Sequence, residues 1–472
     1  MISVEIFRGK TIGIMGLKRS GLSAARALHA GGANVFAWDD KEAARTDAPM
    51  GVGVEPWEQW PWESLHAVIL SPGIPLTHPV PHAIVDRANE VGVEIIGDLD
   101  LFARAIRAKA DDVVTAPIIA ITGTNGKSTI TALIGHVLQS CGFNAQIGGN
   151  IGNPALELDP PKPKTIYVLE VSSYQIDLSP NLHPNISVFS NISPDHIDRH
   201  GSLENYALVK AELLKRTLSG GSIVVGTDDA LSSAIFTQLI TFNDRDTIAV
   251  SVGNVLGCGI FVIDGKLYEA SNSPAEEIGD LSAAQHLRGV HNWQNAALAY
   301  AALRPIIHNP QKIIAALVSF PGLAHRMEDV GKIGKVRFIN DSKATNANAA
   351  SRALACFDNI FWIAGGRAKD GGIESLASYF PQIRKAYLIG EAALKFSKTL
   401  NGQIDFELNE TINNALYSAA ADAEGCSAPD PVVLLSPACS SFDQFNDFEE
   451  RGNMFRAAVQ QMEDLMPREV SA

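Results

Sequence analysis

Residues 121–129 read Ile-Thr-Gly-Thr-Asn-Gly-Lys-Ser-Thr, between an apolar run at 116–121 and an amphipathic stretch that begins at Ile130. Such a segment leaves the chain few options. A strand must deliver it to a tight turn whose small residues let backbone N–H groups converge on an anion, and a helix must follow with its positive end at the same spot. The helical half is visible: Ile130, Leu133, Ile134, Val137, Leu138 and Cys141 keep one apolar face, and Gly142 supplies a stop. Lys127 would give a point charge to the outer phosphates of a nucleoside triphosphate, and the Ser128 hydroxyl could ligate Mg²⁺. The standard phosphate loop would place a glycine at position 121, where this chain has Ile121. The pattern is therefore a shortened one, and the alternative is an ordinary Gly-rich strand-to-helix turn.

The 472 residues suffice for about three domains of ordinary size. A net charge of -14 argues against nucleic acid or an anionic membrane as partner, since either would be repelled at long range. The N-terminus lacks the cationic, long-apolar and small-residue order of a secretion signal, and no apolar stretch approaches the ~18 residues of a membrane span. The five cysteines, at 141, 258, 356, 426 and 439, form no Cys-x-x-Cys pair. Buried, reduced thiols in a cytoplasmic protein are expected. No internal repeat or low-complexity tract interrupts the chain.

The first hundred residues alternate short apolar strands, at 11–15, 34–38, 67–70 and 93–96, with helical patterns, which predicts a parallel sheet. Gly16 to Gly21 opens a helix after the first strand, and the second strand ends at Asp39 and Asp40. A dinucleotide fingerprint has this geometry, but Lys18 stands where its middle glycine belongs, which leaves another nucleotide diphosphate open. Ser71, Pro72 and Gly73 close the third strand in a turn expected to face a ligand.

In the middle segment a strand at 165–169 ends in Glu170, where a phosphate-loop enzyme places a second Mg²⁺ handle. A strand at 186–191 then leads to a turn with Asp195, His196 and Asp198, rich in metal or water ligands. In the next helix Leu203, Tyr206, Ala207, Leu213 and Leu214 form an apolar stripe, and Lys210 falls on it. A lysine there either snorkels, forms a buried ion pair, or has a lowered pKa that leaves a reactive neutral amine. Near metal sites such an amine could take up CO₂ as a carbamate. Further on, Asn292 and Asn295 sit one turn apart on an Ala-rich helix, as adenine-edge contacts or as a helix cap.

The last segment begins near His325 and Arg326. Three apolar strands there run into turns: Asn340 to Asn346, Ala364 to Gly372, and Leu434 to Phe442. Each sets Ser, Thr, Lys or Gly at the C-terminal edge of a sheet, where open α/β sheets bind ligands, and an anionic small substrate is expected.

Taken in order, the 123–129 loop, Glu170-Val-Ser-Ser, His196, Lys210, His291-Asn-x-x-Asn295 and His325-Arg326 resemble the signature of the Mur ligase family, the ATP-dependent amide-forming enzymes of peptidoglycan assembly. The match spans nearly the whole chain. Ser71-Pro-Gly73, 340–346, and Ser436-Pro-Ala-Cys439 with Phe442-Asp-Gln-Phe445 are similar to the family's D-glutamate-adding branch. The resemblance implies an α/β fold of three domains. Residues 1–106 would be a Rossmann-like UDP-sugar domain, 107–322 a central P-loop-type ATPase with a mostly parallel sheet, and 323–472 a Rossmann-like amino-acid domain, with closure about a linker near residue 322.

It also implies a role for each matched position. Gly123, Thr124, Asn125, Gly126, Lys127, Ser128 and Thr129 would hold ATP with Asn292, Asn295, Arg326 and Asp341. Ser128 and Glu170 would bind one Mg²⁺, and His196 with a carbamate on Lys210 a second. Lys127, Glu170, His196 and Lys210 would carry the chemistry. Arg19, Ser20, Asp39, Ser71, Gly73 and Asn150 would line the UDP-sugar site. Lys343, Thr345, Lys369, Ser441, Phe442 and Phe448 would receive D-glutamate. The implied reaction joins D-glutamate to UDP-N-acetylmuramoyl-L-alanine through an acyl phosphate, in a cytoplasmic monomer. Another amino-acid-adding ligase of Mur or folylpolyglutamate type is the alternative. A nicotinamide oxidoreductase, motivated by Asp39, and a nucleotide-hydrolysing switch are rivals of other classes.

Overall fold

The computed structural model describes residues 1–108, 116–271, 274–284, 286–368 and 372–465. Three sheets organise them. The first contains β1 (Thr11–Met15), β2 (Asn34–Trp38), β3 (Gly53–Val54), β4 (Leu65–Leu70) and β5 (Glu94–Ile96), all parallel in the order β3-β2-β1-β4-β5. The chain runs outward from β1 to β3 and then returns to β4, so the crevice between β1 and β4 is a topological switch point. The two-residue β3 carries no periodic signal and was not expected.

The second sheet holds β6 (Ile118–Thr122), β7 (Asn144–Gly149), β8 (Thr165–Glu170), β9 (Ile186–Phe189), β10 (Ser222–Gly226), β11 (Asp246–Val252), β12 (Cys258–Ile263), β13 (Lys266–Ser271) and β14 (Glu276–Asp280). Their order is β14-β13-β12-β11-β10-β9-β6-β8-β7, parallel from β7 to β12, with β13 and β14 antiparallel at the edge. Every residue of β6, β8, β9 and β10 is buried, as strands covered on both faces require. The third sheet comprises β15 (Glu328–Ile333), β16 (Val336–Asn340), β17 (Ile360–Gly365), β18 (Ile383–Ile389), β19 (Phe406–Leu408) and β20 (Val432–Leu435), in the order β15-β16-β20-β17-β18-β19. Only β15 runs antiparallel.

Two compact units result. One is Met1–Ala283 with Asn292–Ser319, and the other is Ala284–His291 with Phe320–Ala472. In the first unit a single hydrophobic core joins two sheets: Ala24 and Leu28 of the Arg19–Ala30 helix pack in the same cluster as Phe102, Leu156 and Tyr167. Phe102 meets Tyr167 edge to face with ring centroids 5.0 Å apart. Truncating Phe102 to Ala would cost about 3–5 kcal/mol, because a cavity would open where the two layers share atoms. In the second unit, separate clusters cover the two faces of the third sheet.

The cysteines correct one expectation. All five are free, but only Cys439 is buried; Cys258 is exposed on β12 and the other three are half-buried. Short apolar-looking context does not distinguish a core position from a strand end. Among the described residues, no helix is long and apolar enough to cross a membrane.

Candidate functional site

The phosphate loop is shaped by two glycines. Gly123 has φ 134° and Gly126 φ 86°, and a Cβ at either would meet a side-chain oxygen, Ser190 Oγ at 2.0 Å or Asn295 Oδ1 at 2.2 Å. Gly126 caps the Lys127–Ser140 helix, whose N-terminal turn carries Ser128 and Thr129, both buried. The turn after β9 holds the loop from the other side. Asn191 accepts from the Thr124 N–H at 2.8 Å through its carbonyl and from the Asn125 N–H at 3.1 Å through its side chain. Ser190 Oγ donates to the Asn125 carbonyl at 2.6 Å. These bonds explain why the strand expected at 186–191 stops at Phe189: the last two residues turn away to serve the loop.

Two lysines converge on this loop. Lys127 Nζ donates to the carbonyls of Gly123 at 2.9 Å and Thr124 at 2.7 Å. Lys210 Nζ donates to the same Gly123 carbonyl at 2.8 Å and lies 4.6 Å from the Tyr206 ring centre. It belongs to the Leu203–Lys215 helix and is 1% exposed. Burial, and then the charge of Lys127, hold its amine well below the usual lysine range, against the opposing pull of Asp195 and Glu170. The stripe seen in the sequence is therefore a buried face, and snorkelling is excluded.

Glu170, at the end of β8, is 3% exposed. Its Oε1 accepts from Asn150 Nδ2 at 2.7 Å, whereas Oε2 has no hydrogen-bond partner. A buried carboxylate oxygen left so costs at least about 1–3 kcal/mol, and a cation is the group that would recover it. Among the described residues, no three or more His, Cys, Asp or Glu cluster as a metal site. The side chains that could serve a metal here are Glu170, His196 and the Ser128 hydroxyl. His196 is exposed, in the left-handed region at φ 54°, with Nε2 3.5 Å from Asp195. Its ring lies 5.1 Å from Tyr174, which stacks on the buried His200 at 5.6 Å. His200 bonds Ser173 at 2.9 Å, and burial followed by the Lys210 charge lowers its pKa to about 4. The sequence reading passed over His200, Tyr174 and Asn191; only their spacing from His196 and Glu170 hinted at them.

Asn292 and Asn295 are both buried on the Val290–Leu303 helix, Asn295 Nδ2 donating to Asn292 Oδ1 at 3.2 Å. Neither caps the helix. Their carboxamides are interior groups, and Asn295 rests directly on Gly126.

At the switch point of the first sheet lies a cavity of 480 Å³. Arg19, Ser20, Asp39, Ser71, Gly73 and Asn150 all line it. Asp39 does not extend freely into it: its oxygens accept from the Leu17 N–H at 2.7 Å and the Lys41 N–H at 2.9 Å, so the carboxylate shapes the loop after β1. Arg19 donates to the Gly152 carbonyl. Ser71 Oγ donates to the Gly16 carbonyl at 2.8 Å, an approach that only a glycine at 16 permits, since a Cβ there would meet Ser71 Cβ at 2.7 Å. Gln175, a lining residue the sequence reading missed, is oriented by the Ser172 N–H bond to its Oε1.

In the second unit the expected turns leave the C-terminal ends of β16, β20 and β17, three neighbouring parallel strands. Lys343 Nζ stands 3.6 Å above the Phe448 ring. Ser441 is buried, Phe442 is 63% exposed, and the Thr345 N–H bonds the Lys343 carbonyl at 2.8 Å. Lys369 lies outside the described residues. Asp341 accepts from Ser436 Oγ at 2.8 Å and the Met327 N–H at 3.2 Å, and burial lifts its pKa to about 7 against the charge of Arg326. The buried Arg451, also missed, ties these turns together through Ser342 Oγ at 3.0 Å and the Cys439 carbonyl at 3.1 Å.

A family profile described as the Mur ligase middle domain matches residues 121–303, the stretch from the phosphate loop to the end of the Asn292–Asn295 helix. The chain is 49% identical over 465 residues to the UDP-N-acetylmuramoylalanine–D-glutamate ligase of Phenylobacterium zucineum, covering 98% of this chain and 99% of that one. It is 50% identical over 460 residues to the ligase of the same name from Caulobacter vibrioides, covering 97% of each. Among solved structures, UDP-N-acetylmuramate–alanine ligase MurC from Thermotoga maritima superposes with a TM-score of 0.58 over 96% of this chain and 99% of its own, at 17% identity. MurF ligase of the same organism, in complex with ADP, gives 0.57 over 84% and 90% at 15% identity. Those two likenesses show the α/β fold, and the near-full-length identities carry further: the chain belongs to the Mur ligase family, in the group of its UDP-N-acetylmuramoylalanine–D-glutamate ligases.

Proposed function

We propose that this chain is an ATP-dependent carbon–nitrogen ligase that adds D-glutamate to UDP-N-acetylmuramoyl-L-alanine in the cytoplasm, with 1–106, 107–322 and 323–472 as its three working domains. The observation that carries the reading is the pair of lysines on the Gly123 carbonyl, one from the phosphate loop and one buried on a neighbouring helix. A nucleotide-hydrolysing switch has no use for the second amine. A nicotinamide enzyme has no use for either.

A carboxylate is a poor electrophile, so the substrate carboxylate first takes the γ-phosphoryl group of ATP, and the amine then displaces phosphate from the acyl phosphate. Lys127 leaves the loop carbonyls to neutralise the charge that moves in the first step. Glu170, Ser128, His196 and a carbamate on Lys210 would hold Mg²⁺, which would supply charge neutralisation for two anions brought together. Asn292 and Asn295 hold the nucleotide against the loop. Lys343, Thr345, Lys369, Ser441, Phe442 and Phe448 receive the amino acid, whose two carboxylates match the lysines. The cavity at the first sheet takes the UDP-sugar, with the pyrophosphate at the start of the Arg19–Ala30 helix.

The test is phosphate release and product mass with ATP, Mg²⁺, UDP-N-acetylmuramoyl-L-alanine and single amino acids. Release and an amide product with D-glutamate alone are expected. Equal release with every amino acid, or with none, would overturn the reading.

A further inference from the structure

Arg199 follows His196 on the same turn, in the short helix Ile197–His200, and nothing above gives it a task. Its guanidinium reaches into the first sheet's cavity loop. Nη1 donates to the Gly73 carbonyl at 3.2 Å, and Nη2 donates to the Ile74 carbonyl at 3.2 Å and the Pro72 carbonyl at 3.5 Å. Three successive carbonyls of the turn that lines the 480 Å³ cavity are therefore held by one planar fork. The same guanidinium lies 4.5 Å over the Tyr174 ring. Tyr174 in turn packs edgewise on His196 at 5.1 Å and stacks on His200 at 5.6 Å, and His200 packs on Tyr206 at 5.2 Å, next to Lys210. A second contact runs alongside: a Cβ at Gly201 would meet His78 Nε2 at 3.2 Å, so the two loops approach closely at that point too.

We propose that Arg199 is a positioning residue that couples occupancy of the UDP-sugar cavity to the placement of the His196 turn. The proposal rests on the functional reading above, in which the cavity holds the UDP-sugar and His196 and Glu170 face a cation. A ligand that fixes the Pro72–Ile74 carbonyls fixes the guanidinium, and the Tyr174 ring passes that constraint to the otherwise exposed His196. Coupling of this kind is a free energy shared by two sites and must appear with equal size from either side. An arginine that merely glues two loops would raise stability without linking the two affinities.

The experiment uses the full chain with Mn²⁺ as the metal probe, its binding read by electron paramagnetic resonance in the presence of a non-hydrolysable ATP analogue. The Mn²⁺ dissociation constant is measured with and without saturating UDP-N-acetylmuramoyl-L-alanine. For the parent, the sugar nucleotide is expected to tighten Mn²⁺ by about 5-fold or more, at the lower end of ordinary coupling. Arg199→Met is expected to bring that ratio to within twofold of one while each ligand still binds alone, and Arg199→Lys to leave an intermediate ratio. Tyr174→Leu, which keeps the carbonyl contacts and removes the relay, is expected to abolish the ratio as well, and it decides the matter should Arg199→Met fail to fold. A parent ratio of one, or a folded Arg199→Met or Tyr174→Leu protein with the parent ratio, overturns the proposal alone. Failure of the parent to bind UDP-N-acetylmuramoyl-L-alanine overturns the functional reading and the proposal with it.

Discussion

The first unit contains two strand–turn–helix loops built from the same local parts, one after β1 and one after β6, and they differ in what the rest of the molecule places on them. The loop after β6 is covered: Ser190, Asn191 and Asn295 press on its backbone, and two lysine amines occupy its carbonyls. The loop after β1 opens onto a 480 Å³ cavity, and its polar groups are committed sideways, Asp39 to backbone N–H groups and Arg19 to Gly152. The covered site suits a reacting phosphate, for which preorganised charge in a dry setting counts most. The open one suits a large ligand that is bound and left chemically intact. Glycine does the same work in both loops, admitting close neighbours at 16 as at 123 and 126, whereas Gly73, in the turn after β4, has open space beside it.

Removing charge from the covered loop should have the largest effect. Lys127→Ala is expected to lower kcat about 10³-fold or more while binding of the sugar nucleotide is retained, read by phosphate release and calorimetry. Unchanged kcat would dissolve the distinction between the two loops.

Lys210 comes next. Lys210→Ala should lose about 100-fold or more in kcat and recover part of it with added short carboxylates, and full activity without them would make the lysine structural. The same residue has a pH signature. Its folded pKa lies below the ordinary 10.5, so the unfolded chain binds that proton more tightly and native stability rises with pH over the interval below 10.5. In carbonate-free buffer Lys210→Met should therefore melt above the parent near neutral pH, with the gain shrinking as pH climbs toward 10.5. A gain that does not depend on pH would contradict the sign.

The glycines sharpen the contrast. Gly126→Ala meets Asn295 at 2.2 Å with φ at 86° and should cost about 2 kcal/mol of stability along with ATP affinity, whereas Gly73→Ala, with nothing within 4 Å, should leave the melting temperature unchanged. The smallest loss of ligand binding is expected at the open site: Asp39→Asn removes one of two backbone acceptors and should weaken sugar-nucleotide binding about tenfold, leaving ATP binding alone.

Much of this was readable before any coordinates. The strand and helix flanking 123–129 follow from periodicity, and Lys210 on an apolar stripe is a contradiction visible in one dimension. The strand ends were less legible. Residues 190 and 191 look like a continuation of β9, yet they leave the sheet because the loop's N–H and carbonyl groups need partners. Arg199, His200 and Arg451 gave no signal of their own, because each matters through what it touches across 25 or more residues of chain.

By itself the sequence determined the local parts: two glycine-rich strand-to-helix loops, the carboxylate at the end of β8, and a lysine on an apolar stripe. Tertiary structure decided which of those groups are covered or shared, and that the Lys210 amine is held below the usual lysine range. Two amines meet at one carbonyl, and Glu170 keeps an oxygen without a donor, only because strands distant in sequence set them side by side. Desolvation and like-charge repulsion depend on that proximity, and no reading of residues in order contains it.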